Sequence, residues 1–197
     1  MKNMIFLMYF MSWTCHQAQS KMPEKNYKKF HLEAQNYCKS HEMNTEYYFL
    51  LDLSLHPGRN RFFVINIKEQ KIIDRNLVTH GSCDVFSDNP NKWEKSKFDN
   101  RLDSHCSMKG KYKIGKRDWS AWGIKVKYWL EGLEESNQNA VKRVVVLHSW
   151  EAVSNTEIYP EVSPLSWGCP AVSDVFMQKL DAKLKASKKP VLLWIVD

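Results

Sequence analysis

Short apolar runs alternate with polar gaps along most of the chain, a pattern typical of β strands joined by turns. The runs EYYFLLDLSL and RFFVINIK are rich in aromatic and branched residues, and HPGRN separates them, which predicts two strands around a Pro-Gly turn. Further strands are predicted in KIIDRNLVTH, KYKIG, GIKVKYWLEGL, KRVVVLH and the closing KPVLLWIVD. Most of the elements are therefore strands.

Two segments have helical spacing instead. Apolar residues between positions 24 and 41 recur three and four apart, which predicts a short amphipathic helix. In DVFMQKLDAKLKAS, Val175, Phe176, Leu180 and Leu184 mark one face, and Ser173 is the expected N-cap. The predicted fold class is mainly β with flanking helices (α+β), a sandwich or a barrel. A length of 197 residues suits one compact domain.

The first twenty residues have the pattern of a secretory signal. Lys2 precedes an apolar run from Met4 to Trp13, and small residues precede a cleavage point after Ser20. The run is too short for a membrane-spanning helix, which needs about 20 residues. Lipidation at Cys15 is an open alternative, although SWTC has a tryptophan where small residues are expected. The predicted divisions are a signal peptide (1–20), an N-terminal helical segment (21–46) and a main domain (47–197).

The chain is basic, with a formal net charge of +7. A positive protein is drawn to anionic polymers. The lysines are spread through every segment rather than gathered in one stripe, so a nucleic-acid partner is not expected. In an exported protein, the better match is a negatively charged polymer of the cell envelope.

Four cysteines follow the signal segment: Cys38, Cys83, Cys106 and Cys169. An even number in an exported protein permits disulfides. If Cys169 is reactive, at most one bridge forms among the others. Cys83 and Cys106 share the long polar stretch 81–110, so this pair is favoured and Cys38 is expected to stay reduced, half-buried on the first helix. Metal-ligand spacing such as CxxC does not occur, so no metal is expected.

The stretch LSWGCPAVS places Cys169 between a glycine and a proline, on a tight turn. The thiol is either packing or half of a disulfide, or the turn presents a nucleophile. His148 ends the predicted strand KRVVVLH and could accept the thiol proton. The following helix start is expected to lower the thiol pKa. Gly168 permits close backbone approach, and its N–H and that of Cys169 could bind an oxyanion.

The pair RVVVLHS and SWGCPAVS resembles the catalytic domain of the L,D-transpeptidases (YkuD type), and more closely the murein L,D-transpeptidase branch with the motif S-x-G-C-P-A. The resemblance extends from about Tyr47 to Val196 and implies the β-sandwich or barrel of that family. Many members of the wider superfamily have histidine at the position of Trp167. Any role of that imidazole is absent here.

The resemblance implies a role for each matching residue. Cys169 is the acylated nucleophile, His148 its base, and Ser149 stands beside the base. Gly168 and Cys169 supply oxyanion donors. The remaining predicted substrate-binding residues, each of which could equally be packing or a turn residue, are Ser166, Trp167 and His80.

The implied reaction is attack of Cys169 on the bond between diaminopimelate and D-alanine in a peptidoglycan tetrapeptide stem. A thioester forms, an amine acceptor resolves it, and carbapenems are expected to acylate the same sulfur. No cofactor is implied, and a monomer in the periplasm or cell envelope is expected. Two alternatives stay open: an L,D-carboxypeptidase that gives the thioester to water, and a non-catalytic cell-wall-binding module. A papain-like protease is disfavoured because its cysteine precedes its histidine.

Overall fold

The strands and helices lie in the segments that the apolar pattern predicts, with one short strand added. The structure is a computed structural model that describes residues 25–85 and 88–197. The predicted signal segment, including Cys15, lies outside the described residues. The elements are α1 (Lys28–Ser40), β1 (Tyr47–Asp52), β2 (Phe62–Asn66), β3 (Lys71–Asn76), β4 (Gly110–Trp119), β5 (Val126–Gly132), β6 (Val146–Ser149), β7 (Ala171–Val172), α2 (Asp174–Ala186) and β8 (Leu192–Val196). A short 3-10 helix covers Glu135–Asn137.

The eight strands form one mixed sheet in the order β3-β2-β1-β8-β4-β5-β6-β7. The pairs β1–β8 and β6–β7 are parallel, and the others are antiparallel. The chain after β3 returns to β7, where the Thr79 N–H donates to the Ala171 carbonyl at 2.9 Å. The sheet is therefore nearly closed into a barrel, as predicted for this mainly β fold.

The central strands are buried on both faces because a helix covers each side of the sheet. Phe49 and Leu51 of β1 point into the main core, where they join residues of α2. Tyr48 and Leu50 point the other way, into a second core that includes Ala34 and Cys38 of α1. This is why β1 is apolar at nearly every position rather than alternating. Neither helix in the described residues is long and apolar enough to cross a bilayer.

Two details of the predicted elements are wrong. The strand predicted from Lys142 begins at Val146, because Val144 has a φ of +56° in a turn closed by the Val145 N–H to the Ala140 carbonyl. In α2, Val175 is 49% exposed, and the buried face consists of Phe176, Met177, Leu180 and Asp181. The N-cap is as predicted: the Ser173 hydroxyl accepts the Phe176 N–H at 3.2 Å.

Candidate active site

A parallel strand pair brings the predicted nucleophile and base together. His148 of β6 pairs with Ala171 of β7, and the His148 N–H donates to the carbonyl of Pro170. Cys169 therefore lies beside Val146 at the start of β6, two residues before His148, although a long loop separates His148 and Cys169 in sequence. Leu147 points into the main core, so alternation along the strand turns His148 the other way.

His148 and Cys169 line one cleft of about 420 Å³, a volume in the usual range for small-ligand sites. The other lining residues are Trp122, Trp150, Leu165, Ser166, Trp167 and Ala171. The wall is mainly apolar. The Trp122 and Trp150 rings meet edge to face at 5.8 Å, and Trp167, 74% exposed, stacks on His105. The cleft thus combines a thiol, an imidazole and three indole rings.

The orientation of His148 is fixed by the residue that follows it. Its Nδ1 lies 3.0 Å from the backbone carbonyl of Ser149. A carbonyl can only accept, so Nδ1 carries the proton and Nε2 is left as the basic nitrogen. Burial lowers the pKa of His148, the hydrogen bond to Ser149 opposes this, and the Lys127 charge lowers the pKa further. The imidazole is therefore neutral near pH 7.

The backbone carbonyl and the side-chain hydroxyl of Ser149 bind different parts of the site. Its carbonyl holds His148, while its Oγ accepts the N–H of Ile124 at 3.0 Å. The second bond anchors the turn that carries Trp122 to the end of β6. Ser149 is fully buried, so it supports the cleft from behind.

Cys169 is half-buried, and its sulfur lies against the backbone of the segment that precedes His148. The Val146 N–H donates to the sulfur at 3.4 Å, and the sulfur lies 3.7 Å from the Val144 carbonyl. Burial raises the pKa of the thiol above its ordinary value, and the Val146 N–H, Arg143 and Lys127 partly offset the rise. The resting cleft is therefore lined by a neutral thiol and a neutral imidazole.

The expectation that a helix start lowers the thiol pKa is wrong. Between Cys169 and the first residue of α2, Asp174, lie Pro170, the short strand β7 and Ser173. The charge of a helix end acts within about one turn. From the sequence we assumed that the turn leads directly into the helix, because we did not predict β7. This strand separates Cys169 from the start of α2.

Glycine is needed at position 168 because of the backbone conformation there and because neighbouring groups leave no room for a side chain. Its φ is +103°, and a Cβ there would lie 2.5 Å from the Cys106 carbonyl oxygen and 3.1 Å from Nη2 of Arg143. The Gly168 N–H donates to Ser166 Oγ at 3.2 Å. The N–H predicted to be an oxyanion donor therefore already has a partner within the protein, Ser166 Oγ.

His80, predicted as a substrate-binding residue, lies outside the cleft. Its Nε2 lies 2.7 Å from the Lys92 carbonyl, and its Nδ1 lies 2.8 Å from the Arg61 guanidinium. Both ring nitrogens are used, since Nε2 donates and Nδ1 accepts. Burial, together with the Arg61 charge, lowers the pKa of His80 to about 4. The geometry gives His80 a structural role: it joins the polar loop to the buried Arg61.

Cys83 and Cys106 are joined by a disulfide, the pairing favoured from the sequence. The bridge closes the polar loop, and the Cys83 N–H adds a bond of 3.1 Å to the His105 carbonyl. Cys38 is free, but it is fully buried rather than half-buried, and burial raises its pKa to about 12. Within 25–85 and 88–197, no cluster of three or more metal-ligating side chains occurs.

Several residues of the site were not identified from the sequence. Thr79 Oγ1 donates to the Cys169 carbonyl at 3.0 Å and accepts the Ala171 N–H at 2.9 Å, which fixes both sides of the nucleophile's turn. Arg143 lies against Gly168. Trp150 could have been identified, because it lies only two residues after the predicted base His148. Thr79 and Arg143 carry no feature in the sequence that marks them as site residues, because their contacts with the nucleophile's turn exist only in the folded chain.

Comparison with known proteins identifies a family for this chain. A family model described as L,D-transpeptidase catalytic domain (YkuD_2) matches residues 21–193. No protein of curated function matches the chain.

The chain is also similar to three solved structures. Bd1075 of Bdellovibrio bacteriovorus is 17% identical, with a TM-score of 0.45 over 78% of this chain and 49% of that one. An L,D-transpeptidase of Xylanimonas cellulosilytica is 8% identical, with a TM-score of 0.42 over 81% and 68%. The helical cell shape determining protein Pgp2 of Campylobacter jejuni (K307A mutant) is 11% identical, with a TM-score of 0.39 over 76% and 46%. The chain thus spans about half the length of the Bdellovibrio and Campylobacter proteins.

Proposed function

Because the chain belongs to the L,D-transpeptidase catalytic domain family, we propose that it is a peptidoglycan L,D-transpeptidase with Cys169 as nucleophile and His148 as base. The observation that carries the proposal is the shared cleft, which is lined by both a half-buried cysteine and a neutral imidazole of fixed tautomer. A non-catalytic wall-binding module has no need of either feature.

The resting protonation states determine the order of events. The pKa of the Cys169 thiol is raised by burial and that of His148 is lowered by burial, so the ion pair is not the resting form. His148 Nε2 takes the thiol proton as the sulfur attacks the carbonyl between diaminopimelate and D-alanine. The C–N bond then breaks, the proton passes from His148 to the departing amine of D-alanine, and a thioester remains on Cys169.

The second half of the reaction reverses these roles. An amine of a second peptidoglycan stem loses a proton to His148, attacks the thioester and restores the thiol. Peptide stems of peptidoglycan are accordingly the proposed partners. The Cys83–Cys106 disulfide supports export to an oxidising compartment, where such bridges persist.

The experiment is mass analysis of products formed from purified tetrapeptide muropeptides, with the Cys169→Ala protein as the matched control. The proposal expects dimers linked between two diaminopimelates, and none with Cys169→Ala. Tripeptides without dimers would replace it with the carboxypeptidase alternative. Unchanged substrate with a folded protein would replace it with the wall-binding alternative.

A further inference from the structure

The guanidinium of Arg143 occupies a position that the proposed reaction does not yet use. Arg143 belongs to the turn before β6, where Nη1 donates to the Asp99 carbonyl and Nη2 to the Cys106 carbonyl, each at 2.7 Å. Nη2 also lies 3.1 Å from the place of a Cβ on Gly168, the residue before the nucleophile. The cation is therefore packed against the turn that presents Cys169.

The sulfur lies close to the segment that carries this cation. Its two backbone neighbours, the Val144 carbonyl and the Val146 N–H, belong to residues one and three positions after Arg143. The two close acceptors of the guanidinium are neutral carbonyls rather than carboxylates. Its charge is thus not cancelled by direct pairing, and a half-buried charge is screened less by salt than an exposed one.

From this geometry we infer that Arg143 is a positioning residue whose charge stabilises the thiolate of Cys169. The disulfide-closed loop holds that charge in place. The inference rests on the proposed function, since it assumes that Cys169 is the nucleophile.

Other charged or titratable groups face Cys169 from the surrounding strands, and each must be distinguished from Arg143. Lys127 of β5 also favours the thiolate. His148 shares the cleft, and Tyr112 of β4 is a buried phenol whose pKa is raised by burial. Asp99 and Asp103 reduce the net effect of the guanidinium by their own charges.

The Cys106 carbonyl connects the disulfide to this arrangement. The carbonyl accepts from Arg143 Nη2 and lies against Gly168, so a single peptide group contacts both the cation and the nucleophile's turn. The bridge to Cys83 limits movement of that peptide group. Cutting the disulfide is therefore expected to move Arg143 and to weaken the effect on the sulfur.

The test measures the pKa of Cys169 from the pH dependence of its alkylation by iodoacetamide, with the labelled peptide mapped. Arg143→Gln removes the charge but keeps a donor, Arg143→Lys keeps the charge, and Lys142→Gln is the control. Lys142 is the exposed neighbour, so its variant has the same net charge as Arg143→Gln. Denaturation midpoints of all three variants report whether they fold.

The expected result is a rise of about one pKa unit in Arg143→Gln, which is tenfold slower alkylation below the pKa. Arg143→Lys should recover most of this loss, and Lys142→Gln should match wild type. Double replacement of Cys83 and Cys106 by serine should raise the pKa in the same direction.

Two outcomes overturn the inference. One is an unchanged pKa in a folded Arg143→Gln protein. The other is an equal rise in Arg143→Gln and Arg143→Lys, because this would indicate a packing role without a charge effect. Alkylation needs no turnover, so the two failures are distinguishable: a shifted pKa in a protein that forms no muropeptide dimers would refute the proposed function but would leave the effect of the Arg143 charge on the Cys169 thiolate established.

Discussion

Replacing His80 with asparagine tests whether this histidine supports the fold or the site. The imidazole is fully buried between the Lys92 carbonyl and the Arg61 guanidinium. Asparagine keeps an acceptor for Arg61 near the position of Nδ1 and cannot become charged. It loses the donor to Lys92, which should cost about 1–3 kcal/mol at pH 7.

The size of the pH effect follows from the protonation of His80. Its pKa is 6.5 ordinarily and about 4 in the folded protein, because burial and the Arg61 charge oppose the cation. Between these values the unfolded chain binds the proton and the folded chain does not, so the free energy of unfolding falls as the pH is lowered from 6.5 to 4. The difference of about 2.5 units is worth about 3 kcal/mol.

The assay is urea denaturation of wild type and His80→Asn at several pH values between 7 and 4. Burial also lowers the pKa of His31, His56 and His148, so both proteins should weaken in acid. The wild type should lose about 3 kcal/mol more than the variant, and its advantage at pH 7 should disappear near pH 4. His41→Asn, which changes an exposed histidine, is the matched control.

Parallel loss of stability in wild type and His80→Asn would refute the reasoning, because it would mean that His80 is not held neutral by the fold. Loss of turnover in His80→Asn at neutral pH without loss of stability would return His80 to substrate binding.

Three further predictions concern the cleft itself. Cys169→Ala should abolish turnover and change the free energy of unfolding by less than about 1 kcal/mol; D-alanine release at the wild-type rate would exclude this nucleophile. Gly168→Ala should destabilise the protein by about 2–4 kcal/mol in urea denaturation and should slow acylation. The reason is that φ at this position is +103° and the new Cβ would lie 2.5 Å from the Cys106 carbonyl oxygen. If the variant were as stable as wild type, the loop that carries Cys106 would have to move aside easily. A carbapenem should form one covalent adduct, detected by mass, on the peptide that contains Cys169. The rate of acylation should rise from pH 7 to 9, because burial raises the pKa of the thiol, and it should be lower in His148→Ala. Failure of the carbapenem to acylate a thiol that a small alkylating agent still labels would argue against an acyl-transfer pocket.

Much of this protein is determined by local sequence. The strands, both helices and the Ser173 cap follow from periodicity and capping, which depend on residues a few positions apart. The turn at Gly168 and Cys169 and the histidine at a strand end can also be identified locally. The strand β7 escaped prediction because two residues carry no period, and Val144 lies in a turn that only its partners reveal.

The tertiary structure decided what surrounds those residues. From the sequence we predicted the sulfur at a helix start with a lowered pKa, whereas β7 separates Cys169 from α2 and burial raises the pKa of the thiol. His80 has the residue type of a site histidine, yet the fold places it outside the cleft, in contact with Arg61 and Lys92. Arg143 approaches Gly168 because the disulfide-closed loop packs against the turn before β6. Charge, burial and pKa depend on partners far apart in the chain, and folding alone brings those partners together.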